Sequence, residues 1–118
     1  MSAAPKTETG RAQLGTLTNT ILECSDLERT AAFYTEKLGF PVQASGEGWV
    51  VVDGGAGVVV MYGGDDPHIT LGFTGADLAA ARAALEARGA DPGPIAAHPT
   101  GHHFIVTDPE GNRVMIAD

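Results

Sequence analysis

The chain has 118 residues, 43% of them hydrophobic, with a net charge of −8 and a pI near 4.7. That length fits one domain with an adequate core, and the acidic balance argues against nucleic acid or an anionic membrane surface as partner. No apolar run approaches the roughly 20 residues needed to span a bilayer. The first residues lack the charged head and apolar core of a secretory leader. A single cysteine, Cys24, allows no internal disulfide, which fits a reducing cytoplasm.

Residues 1–15 mix Ser, Thr, Lys, Glu, Gly and Pro without apolar periodicity and read as a polar tail, leaving 16–118 as a single domain. A first strand is predicted over Leu17–Cys24. Ser25 followed by Glu28 makes a capping box, and Leu27, Ala31, Tyr34 and Leu38 form an apolar stripe at helical spacing. Lys37 suits the negative end of that helix, and Gly39 can close it in the left-handed conformation. Strands follow at roughly Pro41–Ser45, Gly48–Asp53 and Gly57–Tyr62. Gly54-Gly55-Ala56-Gly57 reads as a hairpin turn, since a phosphate loop requires a lysine and a following helix. A fifth strand is predicted over His68–Thr74. Thr74 with Asp77 caps an alanine-rich helix, Ala76–Arg88, whose Leu78, Ala81 and Leu85 face inward and which Gly89 closes. Strands at Pro94–Ala97, His102–Thr107 and Arg113–Ala117 complete the chain, the last preceded by the turn Asp108-Pro109-Glu110-Gly111-Asn112.

The order strand, helix, three strands occurs twice. Asn19-Thr20-Ile21-Leu22-Glu23 leading to Asp26-Leu27 is echoed by His68-Ile69-Thr70-Leu71-Gly72 leading to Asp77-Leu78. The expected fold class is α+β: two βαβββ modules, about 17–62 and 68–117, forming a curved mixed-sheet half-barrel with helices outside. Alternation along strands sorts the side chains. Leu22 and Cys24, then Val58, Val60 and Tyr62, then Ile69, Leu71 and Phe73, then Val114 and Ile116 are expected to pack on the helices. Asn19, Ile21, Glu23, Val59, Met61, His68, Thr70, Gly72, Arg113 and Met115 are expected to face a cavity.

The stretch Ser25-Asp26-Leu27-Glu28-Arg29-Thr30-Ala31-Ala32-Phe33-Tyr34 with Leu38-Gly39-Phe40, and Asp108-Pro109-Glu110-Gly111-Asn112 before the last strand, resemble the vicinal oxygen chelate superfamily of glyoxalases, bleomycin-resistance proteins and dioxygenases. Metal-dependent members place His or Gln on the first strand, Glu on the fourth, His on the fifth and Glu on the eighth. The resemblance puts these positions on Asn19, Met61, His68 and Met115, of which only His68 matches. A glutamate offers a metal an anionic oxygen; methionine offers a neutral thioether and asparagine a neutral carbonyl. The resemblance therefore implies the fold with its metal site lost, no cofactor, and a pocket of the kind often shared across a homodimer.

His68 is a candidate general base or ligand-bonding group, because an imidazole titrates near neutral pH. Glu23 is a candidate acid or base on the same face, although a strand-end glutamate is more often solvated. Asn19 offers a hydrogen bond, while Met61, Met115 and Trp49 offer adaptable or flat apolar surface. His98, His102 and His103 form a loose cluster that fits no standard zinc spacing, and alternation lets only one of His102 and His103 face inward. Cys24 reads as an inert core thiol. These residues suggest a metal-free small-molecule-binding protein that sequesters a drug-like or aromatic metabolite. The alternatives are an isomerase, epimerase or lyase using His68 as base or metal ligand, and an interaction module with a vestigial pocket.

Overall fold

Each half of the repeat opens with a strand that hands over to a helix at an aspartate. The structure is a computed structural model and describes residues 14–118. Strand β1 (Thr16–Cys24) leads into helix α1 (Leu27–Ala32), which widens into a π-helical turn over Phe33–Lys37. Strands β2 (Val42–Gly46), β3 (Trp49–Asp53), β4 (Val58–Gly63) and β5 (His68–Thr74) follow. Helix α2 (Leu78–Ala87) and strands β6 (Ala96–His98), β7 (Gly101–Thr107) and β8 (Arg113–Ala117) complete the order. The expected α+β arrangement of two βαβββ modules is thus present.

The helix caps differ from expectation. Asp26 Oδ1 accepts the Arg29 N–H at 3.1 Å, and Asp77 Oδ1 accepts the Ala80 N–H at 3.2 Å, so the aspartates, not Ser25 and Thr74, begin the helices. A carboxylate accepts from the free N–H groups of the first turn and is also favoured by the positive end of the helix dipole. At the other end of α2, Ala90 N–H bonds to Leu85 O and Gly89 N–H to Glu86 O, with Gly89 at φ 87°. This left-handed glycine closure satisfies carbonyls that the helix itself leaves free.

The chain divides into two compact units, residues 18–71 and residues 72–118 with the segment up to Leu17, the boundary falling inside β5. In the first unit the hydrogen-bonded strand order is β2-β3-β4-β1. Neighbours β2, β3 and β4 are antiparallel, and β1 runs parallel to β4. Strand β2 is exposed along its whole length, follows Pro41 and carries a bulge between Val42 and Ala44. In the second unit the order is β5-β8-β7-β6, with β6, β7 and β8 antiparallel; β6 has only three residues.

Each unit has its own core. In the first, Cys24, Ala31, Val52 and Met61 are buried, with Leu22, Leu27, Tyr34, Phe40, Val50 and Val59 packed against them. In the second, Ala76, Leu78, Ala81, Phe104 and Ile116 are buried, flanked by Leu14, Phe73, Leu85 and Val114. Leu14 therefore belongs to the folded part, which shortens the polar tail. Gly15, at φ 83°, lies so close to Thr74 that an added Cβ would strike its carbonyl oxygen. The rest of the expected tail, residues 1–13, lies outside the described residues. Among the described residues no helix is long and apolar enough to cross a membrane.

Strand β1 follows the expected alternation, since Leu22 and Cys24 join the core. Strands β4 and β5 do not. On β4 it is Val59 and Met61 that pack inward, because Leu22 lies in register with Met61 and aligned residues on neighbouring strands point to the same face. Val58-Val59-Val60-Met61-Tyr62 is apolar on both faces, so composition alone could not choose. On β5, Ile69 and Leu71 are 58% and 40% exposed while Thr70 is buried; only Phe73 packs on a core as expected. The helices rest chiefly on β4 and β7 rather than on β5.

Candidate functional site

With Leu22, Val50, Val52, Val59 and Met61 committed to the first core, the residues between them occupy the opposite face. Trp49 stands beside Tyr62, Val51 beside Val60, and Ile21 in register with Val60, while Glu23 is in register with Tyr62. This open face is apolar and aromatic along its length. Trp49 remains 39% exposed, so the structure places it on this face rather than in the core. Its indole lies over Gly46, where any side chain would collide with it.

The polar end of the face is a hydrogen-bonded cluster. The Tyr62 hydroxyl donates to Glu23 Oε1 at 2.9 Å, and the Asp66 backbone N–H donates to Glu23 Oε2 at 2.7 Å. His68 Nδ1 stands 3.7 Å from Glu23 Oε1 and 2.5 Å from the Asp66 carbonyl oxygen. A carbonyl only accepts, so Nδ1 carries the hydrogen in this contact. The side chains of Glu23 and His68 are only 13% and 19% exposed. Glu23 is therefore not the solvated strand-end carboxylate that such positions usually hold. It also anchors the loop from β4 to β5, whose Gly64 admits no side chain beside the carboxylate. Replacing Glu23 by Ala removes its hydrogen bonds to the Tyr62 hydroxyl and the Asp66 N–H, an expected loss of about 1–3 kcal/mol measurable by urea unfolding.

The structure thus brings Glu23 and His68 together and adds Tyr62 and Asp66, which sequence reasoning missed. Tyr62 had been sorted to the packing face by the inverted alternation of β4. The register of β1 on β4, which sets it beside Glu23, is the signal that identifies it. Asn19 lies on the same face of β1 as Glu23, and its Nδ2 donates to Thr18 Oγ1 at 3.0 Å. Met61 is corrected: it is 0% exposed beneath α1 and lines no open surface. Cys24 is buried, and its thiol is pushed up chiefly by desolvation, as suits an inert core group.

The metal positions implied by the resemblance do not fit an ion. Met61 is sealed in a core, the open-face positions beside it on β4 are Val60 and Tyr62, and Met115 and Asn19 carry no charge. Among the described residues no group of three or more His, Cys, Asp and Glu side chains is arranged to hold one.

In the second unit Phe104 and Ile116 point into the core in register with each other, so His103, Ile105 and Met115 share the other face. Of the adjacent histidines it is therefore His103 that lies on the face opposite this unit's core. His103 faces His98, with Nδ1 atoms 2.8 Å apart, whereas the exposed His102 lies 3.6 Å from the Asp118 carboxylate. The His102 backbone N–H, donating to Asp118, holds that carboxyl below its usual range.

Burial, and then the neighbouring His98, hold His103 below the ordinary histidine range. Because the folded chain favours the neutral ring, the unfolded chain binds the proton more readily. The stability present above the unfolded value near 6.5 is then lost as pH falls through the folded value. Urea midpoints measured from neutral pH downward should fall, and His103→Gln should shrink that fall.

Comparison with solved structures gives the class of fold. A glyoxalase/bleomycin resistance protein/dioxygenase superfamily member from Vibrio splendidus 12B01 aligns with TM-score 0.70 at 18% identity, covering 87% of this chain and 100% of that one. A chain from NAD-dependent benzaldehyde dehydrogenase of Legionella pneumophila aligns with TM-score 0.70 at 11% identity, covering 82% and 94%. A variant of homoprotocatechuate 2,3-dioxygenase from B. fuscum aligns with TM-score 0.69 at 18% identity; 88% of this chain spans 32% of that one. The names do not share one chemistry, so the likeness at these identities shows the fold and no reaction. No curated protein matches the chain. Residues 19–117 match the glyoxalase-like domain, and the chain belongs to that family.

Proposed function

We propose that the chain binds a flat, apolar-bodied small molecule on the open face of its first unit without help from a metal ion, sequestering a drug-like or aromatic metabolite. The observation that carries this reading is the distribution of side chains on that face. Ile21, Val51, Val60, Trp49 and Tyr62 form an apolar and aromatic wall, and polar groups gather at one end around Glu23 and His68. An apolar wall with a few convergent polar groups is the usual make-up of a small-molecule site. The Glu23 carboxylate favours a ligand bearing a donor or a positive charge at that end. The reading includes a homodimer in a reducing cytoplasm, by the resemblance and the lone cysteine. Thermal shift with a panel of aromatic and glycopeptide-like compounds tests it. Saturation at a hundred times Kd adds about 2.7 kcal/mol of stability, and Trp49→Ala and His68→Gln should each reduce the shift. A panel that leaves the melting temperature unmoved overturns the reading.

A second reading rests on the geometry of His68. Its Nδ1 faces the Asp66 carbonyl and a carboxylate stands 3.7 Å away, an arrangement that orients the ring as a general base for isomerisation, epimerisation or elimination. Turnover unchanged in His68→Ala would remove this mechanism.

A further inference from the structure

His98 ends β6 and His103 lies in β7, joined by the two-residue turn Pro99-Thr100. The hairpin register pairs His98 with Gly101 and Ala96 with His103, which puts both imidazoles on one face of the second unit. Their Nδ1 atoms are 2.8 Å apart, with ring centroids 4.9 Å apart and planes tilted by 37°. Two bare nitrogen lone pairs cannot face each other at that distance. Either one hydrogen or one cation must stand between them.

The separation suits a particular cation. Two nitrogens each ~2.0 Å from a metal at a right angle stand about 2.8 Å apart, whereas tetrahedral ligands at that bond length stand about 3.3 Å apart. Right-angled nitrogen donors are the arrangement of tetragonal Cu²⁺ and Ni²⁺, and Cu²⁺ heads the affinity order of divalent first-row ions. The pair is preset by a short hairpin whose proline fixes one backbone angle. His102 is turned away onto Asp118, and the Asp118 charge also acts on His98.

We propose that His98 and His103 form a two-imidazole site for Cu²⁺ or Ni²⁺, the two Nδ1 atoms taking adjacent corners of the coordination plane and water the rest. Among the described residues no third ligand completes it, so the ion binds reversibly and remains open to exogenous donors such as amines or carboxylates. The site is built without Glu23 or His68, and its failure would leave the small-molecule reading untouched.

The test uses the tag-free full-length chain. Titration calorimetry with Ni²⁺ alone should show one equivalent bound, and pulsed electron paramagnetic resonance with one equivalent of Cu²⁺ should show two imidazole nitrogens. His98→Ala and His103→Ala should each weaken binding at least about tenfold and leave one imidazole coupling, since even supporting groups around a metal are worth that much. His102→Ala and His68→Gln should bind as the unchanged chain does. The spectrum of the unchanged chain reads the two nitrogens whether or not a variant folds. Absence of binding by both ions, a Cu²⁺ spectrum with fewer than two imidazole nitrogens, or equal loss in His102→Ala overturns the proposal and leaves a hydrogen between the two rings.

Discussion

Met61→Glu is expected to lower stability by more than about 4 kcal/mol, enough to abolish cooperative folding in a domain of ordinary stability. The resemblance places a metal-binding glutamate at this position, so the substitution looks like restoration of a lost site. The structure predicts the opposite. Met61 is 0% exposed among Cys24, Ala31 and Val52, with Leu22 and Leu27 packed beside it. Among the described residues the cluster around it holds no cationic side chain, and a carboxylate there, ionised or not, exchanges water for a largely apolar core. Circular dichroism and urea unfolding read the outcome, and the same glutamate at Val60, on the open and only half-buried face, should be much milder. A Met61→Glu chain that unfolds near the midpoint of the unchanged protein would overturn the register of β1 on β4 and the orientation of everything derived from it.

Phe104→Ala is expected to cost about 3–5 kcal/mol, most of the stability of an ordinary small domain. Among the described residues Phe104 is the largest fully buried side chain; it lies in register with Ile116, in a core with Ala76, Leu78 and Ala81. Alanines have no side chain to swing into the space left behind, and α2 rests directly on β7. The cavity should therefore close only in part, which keeps the loss within the range for such truncations. Denaturant unfolding checks it; a loss below about 1 kcal/mol would show that the site closes up.

These two residues also show what the sequence discloses and what it does not. The eight strands, both helices and their closing glycines were legible, because apolar period, turn residues and helix ends are local signals. The core role of Leu78, Ala81, Val114 and Ile116 was legible for the same reason. Which face of β4 turns inward was not, since five successive apolar or aromatic residues give alternation nothing to discriminate. Only pairing with β1, a contact between positions about forty residues apart, decides it. The error carried Met61 into the candidate site and Tyr62 out of it. For β5, an apolar period was read as a buried stripe, but Ile69 and Leu71 remain exposed because burial depends on where the helices lie. Glu23 and His68 were recognisable by residue type and shared face. Their partner in the β4–β5 loop, the Asp66 backbone, leaves no trace in composition, because any residue there brings the same N–H and C=O.

The outermost strands of the two units bear on behaviour at high concentration. A sheet edge is a row of unpaired N–H and C=O groups on which another chain can add a strand. Strand β2 meets this hazard with Pro41 at its entry and a bulge between Val42 and Ala44 that breaks the regular spacing of its bonding groups. Strand β6 meets it by brevity, offering three residues between Pro94 and Pro99. Neither edge presents a long, evenly spaced template, so the chain can leave apolar side chains such as Trp49 and Val42 in contact with water while resisting polymerisation through its own backbone.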